Sequence, residues 1–340
     1  MSSAPRVADA PAARSSGKRV LLTGAFGGIG RRVLARLLAA GHRVTCMDLR
    51  NPRTEKVAQT LPAGTAVAWG DIRAAESVEQ ALNGIDVVVH MAAIIPPLAN
   101  ENTQLATSVN VDGTRVLLEA MQRSPTAKRL VFASSMGVAG QRQEDRKPPL
   151  TADQPPTPDD HYGQTKVECE TLVRHSGLNW TILRIAACPH DEILRGDIHS
   201  IRIMFDTSAR GRVEFVHFED VALAFANAVD RDASIGKVLY IGGGKRCQTE
   251  ALEMYNSLFK AMGLGPLPAS AFRPGPQMFF GDWLDTRESQ AVLEFQRHSL
   301  DDFYGWVRRS VGSKRYLLKL ASPIARRFIL RQSPYYRKSG

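Results

Sequence analysis

Val20 to Gly30, VLLTGAFGGIG, is the stretch that decides how this chain folds. A short apolar run leads into Gly24, Gly27 and Gly30 at three-residue spacing; Ile29, Val33, Leu34, Leu37 and Leu38 then recur at helical intervals, with Arg31, Arg32 and Arg36 on the other side. Glycine is needed where the backbone turns sharply, where it approaches a pyrophosphate, and where the helix packs tightly on the strand. The free N–H groups of the helix start then face the phosphates. The next apolar run, Val44 to Asp48, ends in a carboxylate 18 residues after Gly30. That is close to the ~20 expected for the acid that accepts the ribose hydroxyls of NAD.

Downstream, strand and helix patterns keep alternating. Ala66 to Trp69 reads as a strand before Gly70-Asp71-Ile72; Asp86 to Ala93 reads as a strand buried on both faces. A helix is expected from Gln104 to Arg123, a strand from Leu130 to Ser135 and another from Trp180 to Arg184. Between them, Gly140 to Asp160 holds five prolines and many charges, which predicts a surface loop over the site's mouth. Val216 to Val229 reads as a turn into a helix, Lys237 to Ile241 as a short strand, the prolines at 266, 268, 274 and 276 as a long loop, and Leu300 to Val311 as a helix. The pattern predicts an α/β fold, a Rossmann-type doubly wound parallel sheet with a smaller C-terminal substrate-binding lobe. The expected organisation is a disordered leader (1–17), a dinucleotide-binding core (18–185), a substrate lobe interleaved with the last core elements (186–312) and a basic amphipathic tail (313–340).

Composition narrows the class. Of 340 residues, 44% are hydrophobic and 23% charged, as in ordinary globular proteins. Cys46, Cys169, Cys188 and Cys247 have no paired spacing, which predicts reduced thiols and no metal site. The net charge of +10 gathers at the two ends: Arg6, Arg14, Lys18 and Arg19 against only Asp9 at the start, and ten basic residues with no acid after Asp302. A near-neutral body without aromatic-basic arrays predicts no nucleic-acid partner. With no long apolar run and no signal-like leader, a cytoplasmic location is expected.

The motifs TGAFGGIG, Asp48, GDI at 70–72, HMAA at 90–93, NVDGT at 110–114, ASSMGVAG at 133–140, YGQTK at 162–166 and FVHFEDVA at 215–222 resemble, in order, the extended short-chain dehydrogenase/reductase family. This is the NAD-dependent epimerase/dehydratase superfamily, and the resemblance spans about residues 18 to 310. It implies Ser135, Tyr162 and Lys166 as catalytic residues. Cofactor contacts are implied at Gly24, Gly27, Ile29 and Gly30 for the phosphates, Asp48 for the ribose, Asp71 and Ile72 near adenine, Ala92 and Ala93 beside the nicotinamide half, and Lys166 at the ribose. Asn110 matches the asparagine that steadies the neighbouring helix, and Ser134 reads as structural. The chemistry agrees: a hydride can leave a carbinol carbon only if its hydroxyl proton is removed too. Tyr162 is expected to do this with its pKa brought from about 10 toward neutrality by Lys166, while Ser135 holds the substrate oxygen. His90 and His217 read as packed residues. Asp48 favours NAD, while Arg50 and Arg53 keep NADP open.

Departures from the family pattern bear on substrate. Met136-Gly137 stands where sugar-nucleotide dehydratases carry an acidic pair, and Val138-Ala139-Gly140 where epimerases carry Val-Tyr-Gly. Arg212 lies one place early for the family's diphosphate-gripping arginine, with Val213 in its place; in a strand that shift reverses the face. The VAG and VHFEDVA forms resemble the branch of steroid dehydrogenases and flavonol or cinnamoyl-type reductases. The expected function is an NAD(P)-dependent interconversion of alcohol and ketone on a small non-nucleotide substrate. A sugar-nucleotide epimerase is the alternative, and a non-catalytic NAD(P) sensor a third reading. A homodimer is the expected assembly. In the tail, Leu317, Leu320, Ala321, Ile324 and Phe328 share one helical face, which suits peripheral contact with an anionic membrane or packing against the body or a dimer partner; Pro323 is expected to bend or break that helix.

Overall fold

The structure, a computed structural model, describes residues 17–141, 147–189, 198–275 and 281–336. Apart from Gly17, the expected leader lies outside the described residues, as do residues 142–146 of the proline-rich loop. The chain begins with β1 (Arg19–Thr23), α1 (Gly30–Ala39), β2 (Arg43–Asp48), α2 (Pro52–Ala58), β3 (Ala66–Trp69), α3 (Ala75–Ala81) and β4 (Val87–His90). Two single turns, α4 (Leu98–Glu101) and α5 (Thr103–Ala106), lead through a π-helical segment at Thr107–Asp112 into α6 (Gly113–Arg123). Then come β5 (Arg129–Ser135), α7 (His161–Arg174), β6 (Asn179–Ile185), α8 (Ile198–Phe205), β7 (Arg212–Glu214), α9 (Phe218–Asp230) and β8 (Lys237–Ile241). The chain closes with β9 (Gln248–Glu250), α10 (Ala251–Met262), α11 (Arg287–Leu293), α12 (Leu300–Val311) and α13 (Lys314–Leu330).

Seven strands form one parallel sheet in the order β3-β2-β1-β4-β5-β6-β8. Alternation along β1 explains its two covered faces. Val20 and Leu22 pack with α1, α9 and α11 on one side, and Leu21 packs with α3, α6 and α7 on the other. The order reverses between β1 and β4, so the crevice at their carboxyl ends is the switch point of the sheet. A second, antiparallel pair, β7 with β9, belongs to the C-terminal lobe, whose apolar cluster joins Phe205, Phe259, Leu267 and Phe272 to Ile329 and Leu330 of α13.

Four expectations need correction. The strand expected over Asp86 to Ala93 ends at His90: the Met91 amide is shared between the Thr23 carbonyl (3.3 Å) and hydroxyl (3.1 Å), and the Ala92 amide goes to the hydroxyl (3.2 Å). The helix expected from Gln104 contains the π segment, which widens the turn around Asn110. The loop over 140–160 does not lie wholly at the surface: Leu150 is buried and paired with Leu284, donating to the Trp283 carbonyl at 2.7 Å and accepting from Asp285 at 2.8 Å. Finally, α13 runs through Pro323 unbroken.

Candidate functional site

The glycine turn has the shape its sequence asks for. Gly24 has φ +66°, and a Cβ there would stand 2.8 Å from the Ala92 nitrogen. At Gly30 a Cβ would meet the Gly24 carbonyl oxygen at 2.2 Å, so α1 rests on the turn with no room for a side chain. At Gly27 the nearest atom would be that same oxygen at 3.4 Å, leaving its outer side open. Gly28 and Ile29 have no acceptor for their amides among the described residues. Open space, free N–H groups and a helix start together fit a pyrophosphate.

Asp48 closes the turn from the end of β2: it accepts the amide of Phe26 at 2.9 Å and that of Leu49 at 2.9 Å. Burial raises its carboxyl above the usual range, against those two bonds. Arg50 is engaged by Glu55 (2.7 Å), and Arg53 lowers the Asp48 pKa through its charge. Asp71 is gripped by Arg73, which holds its carboxyl below the usual range. The Ile72 side chain is buried against α6, where a Cβ on Gly113 would stand 2.6 Å from it. Ala92 and Ala93 lie at the switch point beside Gly24.

A one-way hydrogen-bond chain ties this crevice together. Thr23 Oγ1 accepts from Met91 and Ala92, so its hydroxyl donates to His90 Nδ1 at 2.7 Å. The ring therefore carries its proton on Nε2 and donates to Thr114 Oγ1 at 3.1 Å, while Thr114 donates to the Asn110 carbonyl. The Asn110 side chain accepts the Ile94 amide (2.7 Å) and donates to the Ile94 carbonyl (3.0 Å) and to Thr165 of α7 (3.1 Å). His90 is buried and neutral, as its sequence context implies, with burial bringing its pKa down to about 3. His217 caps α9 through the Glu219 amide and stacks on His298 at 4.2 Å.

Ser135 ends β5, and its Oγ accepts the Gly137 amide at 3.1 Å. Tyr162 lies in the first turn of α7 near Ser135, and Lys166 follows one turn later. The Lys166 ammonium is buried, donates to the Ala133 carbonyl at 2.8 Å, and lies 5.8 Å from the centre of the Tyr162 ring. Burial holds the phenol above its ordinary pKa, with Ser135 pulling the other way. The direction is upward, opposite to the fall expected from Lys166. Burial also lowers the Lys166 pKa, while Cys169 and Glu170 act to raise it.

Several supporting residues escape a sequence reading. Asn100 accepts the Tyr162 amide at 3.1 Å and donates to Asp160, the cap of α7, at 2.9 Å. Beneath the site, Glu170 accepts two bonds from Arg184 (2.9 and 2.7 Å) and one from Ser134 (2.6 Å), all three buried. Arg184 was detectable, since an arginine inside the apolar run of β6 requires a buried partner. On the lobe side, the Arg212 guanidinium is held by both oxygens of the buried Asp282, while Val213 is buried. Met136 is buried under Gly281, and Ile95 and Leu98 stand 51% and 44% exposed on the segment that Asn110 and Asn100 fix beside α7. Burial pushes the thiols of Cys46, Cys188 and Cys247 up to about 12, so they are inert. Among the described residues no group of His, Cys, Asp and Glu is arranged to hold a metal.

The NAD dependent epimerase/dehydratase family matches residues 20–188. A UDP-glucose 4-epimerase 4 of Oryza sativa subsp. japonica is 29% identical over 316 residues, which cover 79% of this chain and 84% of that protein. A 3-beta-hydroxysteroid dehydrogenase of Mycolicibacterium neoaurum is 31% identical over 211 residues, covering 60% of this chain and 56% of its own length. Among solved structures, a short-chain dehydrogenase/reductase superfamily protein from Agrobacterium tumefaciens with bound NAD has a TM-score of 0.68 at 23% identity, covering 91% of this chain and 100% of that one. That likeness carries the fold. With the ordered motifs and the seven-stranded parallel sheet, these matches show that the chain belongs to the NAD-dependent epimerase/dehydratase family of extended short-chain dehydrogenases/reductases.

Proposed function

We infer that this protein is an NAD-dependent oxidoreductase that interconverts an alcohol and a ketone on a small, apolar, non-nucleotide substrate. The observation that carries the reading is the Arg212–Asp282 pair. A cation that grips a diphosphate must offer its charge to the ligand, and here one edge of the guanidinium, Nε with Nη2, is spent on a buried carboxylate. The exposed apolar side chains of Ile95 and Leu98, on the segment beside α7, agree with a substrate lacking phosphate. Asp48 and the Arg50–Glu55 pair favour a plain ribose over a 2′-phosphate.

A bound nicotinamide supplies or accepts the hydride. Ser135 Oγ accepts from Gly137, and its one hydroxyl hydrogen remains available to a substrate oxygen or to the Tyr162 oxygen. Tyr162, its pKa raised by burial, is poised to give its phenolic proton to a ketone oxygen as that oxygen gains charge. The Lys166 ammonium, fixed by Ala133, then stabilises the phenolate by its charge. The protonated phenol is the acid for reduction, and the phenolate is the base for oxidation.

NADH consumption across a panel of ketones tests this. Tyr162→Phe is expected to lower turnover by about 10²–10⁴-fold while NADH still binds; undiminished turnover overturns the assignment. The rate of reduction is expected to stay level through neutrality and fall only in alkali as Tyr162 ionises, whereas oxidation rises over that range. An acidic optimum for oxidation contradicts the raised phenol. The 29% likeness to a UDP-glucose 4-epimerase over 79% of this chain supports a second reading, epimerisation of a UDP-sugar. Turnover of UDP-glucose without added ketone, or saturable binding of UDP, decides for it.

A further inference from the structure

Helix α13 sits on the body by its polar side. Ser322 accepts the Gly265 amide at 2.8 Å, Arg326 Nε donates to the Pro266 carbonyl at 2.7 Å, and Gly263 passes so close that a Cβ there would be 2.3 Å from the Arg315 carbonyl oxygen. Only Ile329 and Leu330 turn into the apolar cluster of the lobe. The large side chains Tyr316, Leu317, Leu320, Ile324 and Phe328 point outward, from 49% to 81% exposed. They make up five of the eight exposed large hydrophobics among the described residues, so this is one concentrated stripe and not surface scatter. The helix is about 25 Å long, and the stripe runs its length.

The charges around the stripe identify what covers it. Lys314, Lys319, Arg327 and Arg331 flank it, and no Asp or Glu occurs anywhere after Asp302. Two copies meeting through this face would set cationic rims against each other. An anionic surface takes both the charge and the apolar area. At the C-terminal end of the stripe, Arg326, Arg327, Arg331 and Tyr336 line an open recess of about 500 Å³, large enough for a phosphate headgroup. No helix among the described residues is long and apolar enough to cross a membrane.

We propose that α13 docks flat on an anionic phospholipid bilayer, its stripe entering the boundary between headgroups and acyl chains and its arginines meeting lipid phosphates. The full-length protein should co-sediment with vesicles of mixed phosphatidylcholine and phosphatidylserine at low salt. Binding should be at least about tenfold weaker to pure phosphatidylcholine, and salt should weaken it. The double variant Leu320→Ser, Ile324→Ser should partition at least about tenfold less onto the mixed vesicles with an unchanged thermal midpoint, since both side chains already stand in water. The proposal fails if the protein stays in solution with anionic vesicles at low salt, or if the double variant binds as well as the parent. It also fails if the parent is a dimer that the double variant turns into a monomer while neither binds vesicles; the face then belongs to a second copy.

Discussion

Lys166 and Glu170 lie one turn apart on α7 and both are buried, but their partners differ. Among the described residues Lys166 donates to one carbonyl, at Ala133, and so retains ammonium hydrogens for the site; Glu170 is engaged by Arg184 and Ser134 and belongs to the scaffold. Glu170→Ala should leave Arg184 charged and unpaired in the interior and cost about 3–5 kcal/mol in denaturant unfolding, with Glu170→Gln losing less. Equal losses would mean that hydrogen bonding and not charge dominates. His90 gives a pH signature. It stays neutral when folded down to about pH 3, whereas the unfolded chain takes up the proton near 6.5. Its stabilising contribution is therefore complete above 6.5 and is lost as pH falls toward 3. The stability difference between the parent and His90→Gln should shrink by about 2 kcal/mol from pH 7 to pH 5; a constant difference contradicts the neutral buried ring. Tyr162 and Lys166 could be paired from sequence because four-residue spacing puts them on one helix face, while Ser135, 27 positions earlier, was singled out by the family resemblance. Asn100 and Thr165 were not legible, since they reach partners 62 and 55 positions away that only the fold brings near.

Elements were legible by period and illegible at their ends. β4 stops at His90 because a hydroxyl on the neighbouring strand competes for the next two amides, and apolar periodicity does not record such competition. The π turn at Asn110 adds a fraction of a residue to one turn, too little to disturb a pattern that runs on to Arg123. Pro323 is tolerated inside α13 because Lys319, whose carbonyl the missing N–H would have met, is exposed. The glycine turn separates folding from binding. Gly30→Ala forces a Cβ against a carbonyl oxygen and should unfold the turn, lowering the thermal midpoint and abolishing NAD binding together. Gly27→Ala, with 3.4 Å of clearance, should leave the midpoint in place and weaken NAD binding alone. If both variants lose only binding, Gly30 faces the ligand and not the helix.

For the whole molecule, alternating strand and helix predicted the parallel sheet, and the strand read at Lys237 to Ile241 takes its edge as β8. The lobe was harder to read. Its order comes from pairings across long separations, such as Leu150 with Leu284 and Arg212 with Asp282, and neither segment announces its partner. The apolar clusters of sheet and lobe share no buried residue, so damage to one should spare the other. Truncation after Ser313 removes Ile329 and Leu330 and uncovers Phe259, Leu267 and Phe272. The thermal midpoint should fall by at least about 4 °C, while NAD still binds the sheet; loss of NAD binding would show that lobe and sheet unfold as one unit.

The chain from Thr23 through His90 and Thr114 to Asn110 also has a fixed proton inventory: each hydrogen is committed forward, and none is spare. A proton arriving at His90 Nδ1 has to evict the Thr23 hydroxyl hydrogen, which then faces the incoming amides of Met91 and Ala92. Thr23 is the residue before Gly24, and the ring's other nitrogen leads to Asn110 and thence to α7. One buried histidine thus ties the residue before the glycine turn to the helix that carries Tyr162 and Lys166.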